Sequence, residues 1–173
     1  MKEKKGQIWV ETVIYMLVAF AMIALVLAFI RPKIEELRDK AVIDQSIEIM
    51  NGIDETFSDI LVPGNKRTLE VGIKRGTFIM NSVEDKLIIE IESSYVYSEP
   101  DIEIFVGDLS IITQEKGKYN LVTITRDYGN IYNITYQDQD VTKSLTKSSI
   151  PYKLFITNKG KTGGIVNINI DLI

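Results

Sequence analysis

Few residues of this 173-residue chain combine a reactive type with an informative position. Glu11 is an acid at the mouth of an uncharged stretch. Asp101, Glu103 and Asp108, and separately Asp138 and Asp140, lie close enough in sequence to gather around a cation. Glu90 and Glu92 point the same way from one strand pattern, as a carboxylate pair for acid–base work would. Asn133-Ile134-Thr135 is the single N-x-Ser/Thr sequon. The chain has no cysteine and no histidine. That removes disulfides, thiolate or imidazole metal sites and Cys- or Ser–His nucleophile pairs together, leaving only carboxylates for catalysis.

Most of these groups have an ordinary explanation. The acid spacing is not that of an EF-hand loop. Alternating acids are far commoner on solvated strand faces than in calcium sites or glycosidase-type dyads. Thr162-Gly163-Gly164 follows a lysine, the wrong order for a phosphate loop. The net charge of −4 and pI near 5.0 supply no basic stripe for nucleic acid. No catalytic residue, cofactor or metal is expected. Under an extracellular topology, Asn133 is a candidate for N-glycosylation.

The element that positions Glu11 is the most legible in the chain. Val13 to Ile30 is an unbroken apolar run of 18 residues. A helix needs about 20 such residues to cross ~30 Å of hydrocarbon, so Ile8, Trp9 and Val10 make the span comfortable. Lys2, Lys4 and Lys5 precede it, which places the N-terminus in the cytoplasm and everything after Arg31 outside. Trp9 and Tyr15 suit the membrane interface. A secretory signal would be shorter and end in small residues, whereas this run ends in Phe29-Ile30-Arg31-Pro32. A plain anchor fits the hydropathy but leaves Glu11 unexplained, at a cost of roughly 2.5–3.5 kcal/mol were it central in the bilayer.

Lys4-Lys5-Gly6-Gln7-Ile8-Trp9-Val10-Glu11, followed directly by the apolar run, resembles the class III signal peptide of type IV pilins and archaellins. Its Lys-Gly-Gln opening resembles archaeal rather than bacterial members. The resemblance implies cleavage by a prepilin peptidase between Gly6 and Gln7, after which the helix is retained. Glu11 is then the fifth residue of the mature chain, where pilins carry a glutamate. A carboxylate one turn beyond the new terminus can reach the α-amine of its own or a neighbouring subunit. In an apolar surrounding each charge alone is expensive, so a correctly registered neighbour resolves both. The resemblance further implies a helical homopolymer, with an assembly ATPase and membrane platform as partners.

Beyond Pro32 an amphipathic pattern continues to about Ile60. Ile34, Leu37 and Ala41, then Ile43, Ile47, Met50, Ile53, Phe57 and Leu61, form its apolar stripe. Glu35, Glu36, Arg38, Asp39, Lys40, Asp44 and Glu48 take the other face. Pro63-Gly64-Asn65 stops it. The period then changes from 3.6 to 2. Strands are expected at 69–73, 78–80, 87–91, 95–97, 102–106, 109–113, 119–125, 131–136, 152–157 and 165–172. Turns are expected at 74–76, 115–118, 128–130 and 158–160, and a long surface loop over Gln137–Ser149. The seven tyrosines after residue 90 read as core and cross-strand pairs.

The expected architecture is α+β: a long hydrophobic N-terminal helix followed by a mainly antiparallel β-sandwich-like head. The segments are 1–6 as a removed leader, 7–62 as the helix (apolar over 7–30, amphipathic over 32–60), and 65–173 as an extracellular head. The expected role is a structural filament subunit for adhesion or surface contact. It would be a membrane precursor with its head outside, and extracellular when mature. A minor pseudopilin, and a single-pass anchored binding domain that never polymerises, are the rival readings.

Overall fold

The computed structural model describes residues 3–172, and of residues 3–8 the backbone only. Helix α1 spans Glu3–Asp59, passing through Pro32. The chain divides into two compact units, residues 1–38 and residues 39–173. In the first unit the side chains from Trp9 onward are almost all exposed, including Leu17, Phe20 and Phe29.

The second unit is built on the last turns of α1 and ten strands. These are β1 (Lys66–Val71), β2 (Thr77–Asn81), β3 (Lys86–Ser93), β4 (Glu103–Val106) and β5 (Leu109–Lys116), then β6 (Tyr119–Asp127), β7 (Tyr132–Tyr136), β8 (Thr142–Thr146), β9 (Tyr152–Thr162) and β10 (Ile165–Leu172). One sheet has the order β4-β5-β6-β3-β2-β8 and is wholly antiparallel; the other, β1-β9-β10-β7, is mixed because β7 and β10 run parallel. The fold is therefore α+β, a long helix followed by a mostly antiparallel head.

Register follows from the period-2 pattern, since a one-residue slip would turn every apolar side chain outward. In the six-stranded sheet Leu145, Phe78, Ile89, Ile124, Ile111 and Ile104 stand opposite one another, one from each strand. In the other, Ile156 stands opposite Ile170, and Ile170 opposite Tyr136. These rows share one buried cluster with Ile43, Met50, Ile53, Phe57 and Ile60 of the helical segment. The helical stripe thus begins at Ile43 and ends on Ile60, while Leu61, expected to carry it, is 68% exposed.

Three sequence expectations are corrected. Residues 95–97 form no strand, because the Ser93 hydroxyl takes the Tyr95 backbone N–H and donates back to its carbonyl, both at 2.9 Å. The Gln137–Ser149 segment is not all loop. Thr142–Thr146 forms β8, with Leu145 as its one buried residue against Phe78; a polar edge strand leaves little periodicity to read. The turn expected at 158–160 is instead a bulge inside β9, where Asn167 pairs with Gly160 but Ile168 with Asn158. Gly160 takes φ +99° there, a backbone shape that suits glycine.

Candidate functional site

Within residues 9–38, Glu11 is exposed on α1 and its Oε1 accepts a hydrogen bond from the Tyr15 hydroxyl at 3.1 Å, one turn along. The i,i+4 spacing makes this pairing geometrically natural. Gly6 and Gln7 lie on helical backbone, and the Gln7 side chain is outside what the structure describes. One helix here is long and apolar enough to cross a membrane, its most apolar window having a mean hydropathy of 2.9 with nothing in it buried.

In residues 39–173 three polar anchors tie the helical segment to the rest of the unit. Asp39, expected on the solvent face of the amphipathic helix, is 3% exposed. One carboxylate oxygen accepts the Ser94 N–H at 2.6 Å and the Ser94 hydroxyl at 2.8 Å; the other accepts the Arg75 guanidinium. Burial pushes its carboxyl upward, but the Ser94 bonds and the Arg75 charge outweigh this and hold it below the ordinary carboxylate range. Arg75 is brought there by a turn at Gly76, whose φ is +89° and where a Cβ would lie 2.2 Å from the Glu90 carbonyl oxygen. Only glycine fits without displacing backbone.

A second anchor lies three-quarters of the way along this helical segment. Asp54 accepts Arg126 Nε at 3.0 Å and the Tyr128 hydroxyl, while Arg126 Nη2 reaches Asp108 at 3.1 Å. Tyr128 is fully buried and its ring packs against Phe57 and Tyr132 at centroid distances of 5.1 and 5.9 Å. Burial, then the bond to Asp54, push its hydroxyl pKa well up, so it stays a donor. At the end of α1, buried Asn158 donates its Nδ2 to the Ile60 carbonyl at 2.6 Å, satisfying one acceptor the helix leaves open. Sequence reasoning missed all three anchors. Their partners lie 55, 74 and 98 residues apart, beyond the reach of any local pattern.

Three of the five acids considered for cation binding have other partners: Asp108 faces Arg126, Asp138 meets Lys159 at 2.8 Å, and Glu103 accepts the Ser110 hydroxyl. Among the described residues no group of three or more acids is placed to hold a metal. Glu90 and Glu92 line an open groove of about 490 Å³ beside Arg75 and Tyr119. Its lining includes the Asp39 carboxylate and the Ser94 hydroxyl that donates to it. Asn133 lies on β7, where its Nδ2 donates to Asn167 Oδ1 at 3.0 Å and Thr135 of the same sequon donates to Asn169 at 3.1 Å. No known protein family, curated protein or solved structure matches this chain.

Proposed function

We propose that this chain is the subunit of a type IV pilus-like extracellular filament, made as a membrane precursor, cut between Gly6 and Gln7, and polymerised through α1. The observation that carries this reading is the exposure of the apolar helix. Leu17, Phe20, Met22 and Phe29 are 62–71% exposed, and each large apolar side chain left in water forgoes about 1.5–3 kcal/mol. Such a surface demands lipid first or other apolar helices later, and a polymerising helix uses both. Glu11 then pairs with the α-amine of Gln7 in a neighbouring copy and fixes register. The β-rich head serves adhesion or surface contact rather than catalysis.

The test is the N-terminal peptide of the native protein by mass spectrometry. A chain starting at Gln7 is expected, and Gly6→Leu should leave an uncut membrane precursor. A native chain that retains residues 1–6 would sink the proposal.

One observation favours a second reading, the single-pass anchor. Tyr15 already gives Glu11 a hydrogen-bond partner on its own helix, which lowers the cost of that carboxylate in a lone spanning segment. Under this reading Glu11 is dispensable, and the two differ sharply on that point.

A further inference from the structure

The two sheets leave four strand edges, β1, β7, β4 and β8, and an open edge is a template for another chain unless something closes or guards it. The β7 edge is closed from within. Its Tyr132, Ile134 and Tyr136 N–H groups donate to the Tyr128 carbonyl at 2.8 Å, Asp85 Oδ1 at 2.6 Å and the Gln139 carbonyl at 2.9 Å. The β8 edge carries Lys143 and hydroxyl side chains, and its Thr146 carbonyl accepts the Tyr152 hydroxyl at 2.9 Å.

The β4 edge has none of these protections. Phe105 is 69% exposed, with Ile102 and Val106 exposed beside it. It contains no lysine or proline, and among the described residues no further backbone bond covers its outer side. Acids gather at its entrance: Glu99, Asp101 and Glu103. The β1 edge is the complement, opening on exposed Lys66 and Arg67.

We infer that the β4 edge of one copy pairs with the β1 edge of a second copy of this chain, as a strand added across the head–head contact. Run in the same direction, β4 against β4 would set acids against acids, and β1 against β1 cations against cations, each destabilising; run in opposite directions, neither self-pairing brings its charge cluster against the opposite charge. Because both charge clusters lie at the start of their strands, opposite charges meet when the two strands run in the same direction. A contact between two different edges is heterologous and generates a ring or an open helical array rather than a two-fold dimer. The inference rests on the polymer reading in its choice of a second copy as occupant.

The absence of native cysteine makes the test clean. Full-length chains carrying Phe105→Cys and Thr68→Cys, with different tags, are co-expressed in the native host, and surface protein is treated with a short bis-maleimide. Both positions are exposed, so neither change disturbs the core. A mixed-tag dimer is expected to dominate. Glu103→Lys in the Phe105→Cys chain should lower its yield roughly fivefold, and Arg67→Glu in the Thr68→Cys chain should restore it. Filaments in the electron microscope without a mixed dimer overturn the edge pairing and leave the polymer reading intact. A mixed dimer without filaments supports the pairing and overturns the polymer. A dominant Phe105–Phe105 dimer, or a Phe105 adduct to another protein, overturns the pairing.

Discussion

Helix α1 contains two segments that obey different rules. From Trp9 to Arg38 its apolar side chains are exposed all round, and its polar residues answer to one another: Tyr15 to Glu11, Lys33 to Glu36 at 2.7 Å. From Asp39 to Asp59 the apolar residues form one buried stripe, and two of its polar residues, Asp39 and Asp54, answer to residues far off in sequence. The same secondary structure thus carries two different surface patterns. A helix apolar all round suits lipid or a bundle of like helices, and an amphipathic one suits a surface with a single core behind it. The difference teaches that the stability of the head and the fate of the N-terminal segment are separately encoded, so substitutions should separate them.

The largest effect should come from the paired truncation of phenylalanines. Phe57→Ala removes a buried ring that packs on Tyr128 and Tyr132, and should cost the head about 3–5 kcal/mol. Phe20→Ala, at 62% exposure, should leave head unfolding unchanged within about 0.5 kcal/mol. Denaturant titration of the full chain in detergent, followed by strand circular dichroism, reads both. Equal losses would erase the distinction between the two segments.

Next comes Asp39. Asp39→Ala leaves Arg75 and the Ser94 N–H without their shared partner and should destabilise the head by about 2–3 kcal/mol. Its pH dependence has a defined sign. The folded carboxyl titrates below its unfolded value of 3.8, so its contribution is complete above about pH 4 and lost as pH falls through the lower, folded value. Wild-type melting temperature should therefore fall more steeply below pH 4 than that of Asp39→Asn. Parallel acid profiles for the two would show that Asp39 carries no such linkage.

Asp39 also shows where sequence reasoning reached its limit. Helical periodicity assigns a charged residue beside Arg38 and Lys40 to the solvent face, and only Ser94 and Arg75 reveal that it is buried. The break of period at Asn65, nine of the ten expected strands and the turns at Gly76, Gly117 and Gly129 were legible because local chemistry dictates them. The parallel pairing of β7 with β10 was not, since a period of two names the buried face of a strand and says nothing of its neighbour. Nor was β8, with one apolar contact in five residues. For the candidate site, the position of Glu11 in an apolar helix was readable directly. Its bond to Tyr15 follows from i,i+4 spacing and was overlooked because an aromatic at that depth suggests the interface. Gly6 and Gln7, the expected cut site, are described in backbone only.

A smaller effect is expected at the end of α1. Asn158→Ala strips the Ile60 carbonyl of its donor and also frees the Gly160 N–H, which donates to Asn158 Oδ1 at 2.7 Å. The loss should be about 1–2 kcal/mol, with amide exchange accelerating first in the last turn of α1 and around the bulge in β9. Protection lost uniformly across the head would point to a global rather than a local role.

The smallest effect on folding should accompany the largest on assembly, at Glu11. Glu11→Ala changes an exposed residue of the first unit, so head stability should stay within about 0.5 kcal/mol of wild type. Sheared filaments, by contrast, should disappear, because the Gln7 amine of a neighbour loses its counter-charge in an apolar surrounding. Tyr15→Phe discriminates further. Where Glu11 is neutralised between copies, losing a hydroxyl bond worth about 0.6 kcal/mol in a membrane should reduce filament yield no more than about threefold. Where Glu11 serves only a lone anchor, Tyr15 is its main support, Glu11→Ala is harmless, and Tyr15→Phe is the more damaging of the two. Comparing the two variants side by side, by filament yield and membrane retention, therefore decides between a helix that waits for its neighbours and one that needs none.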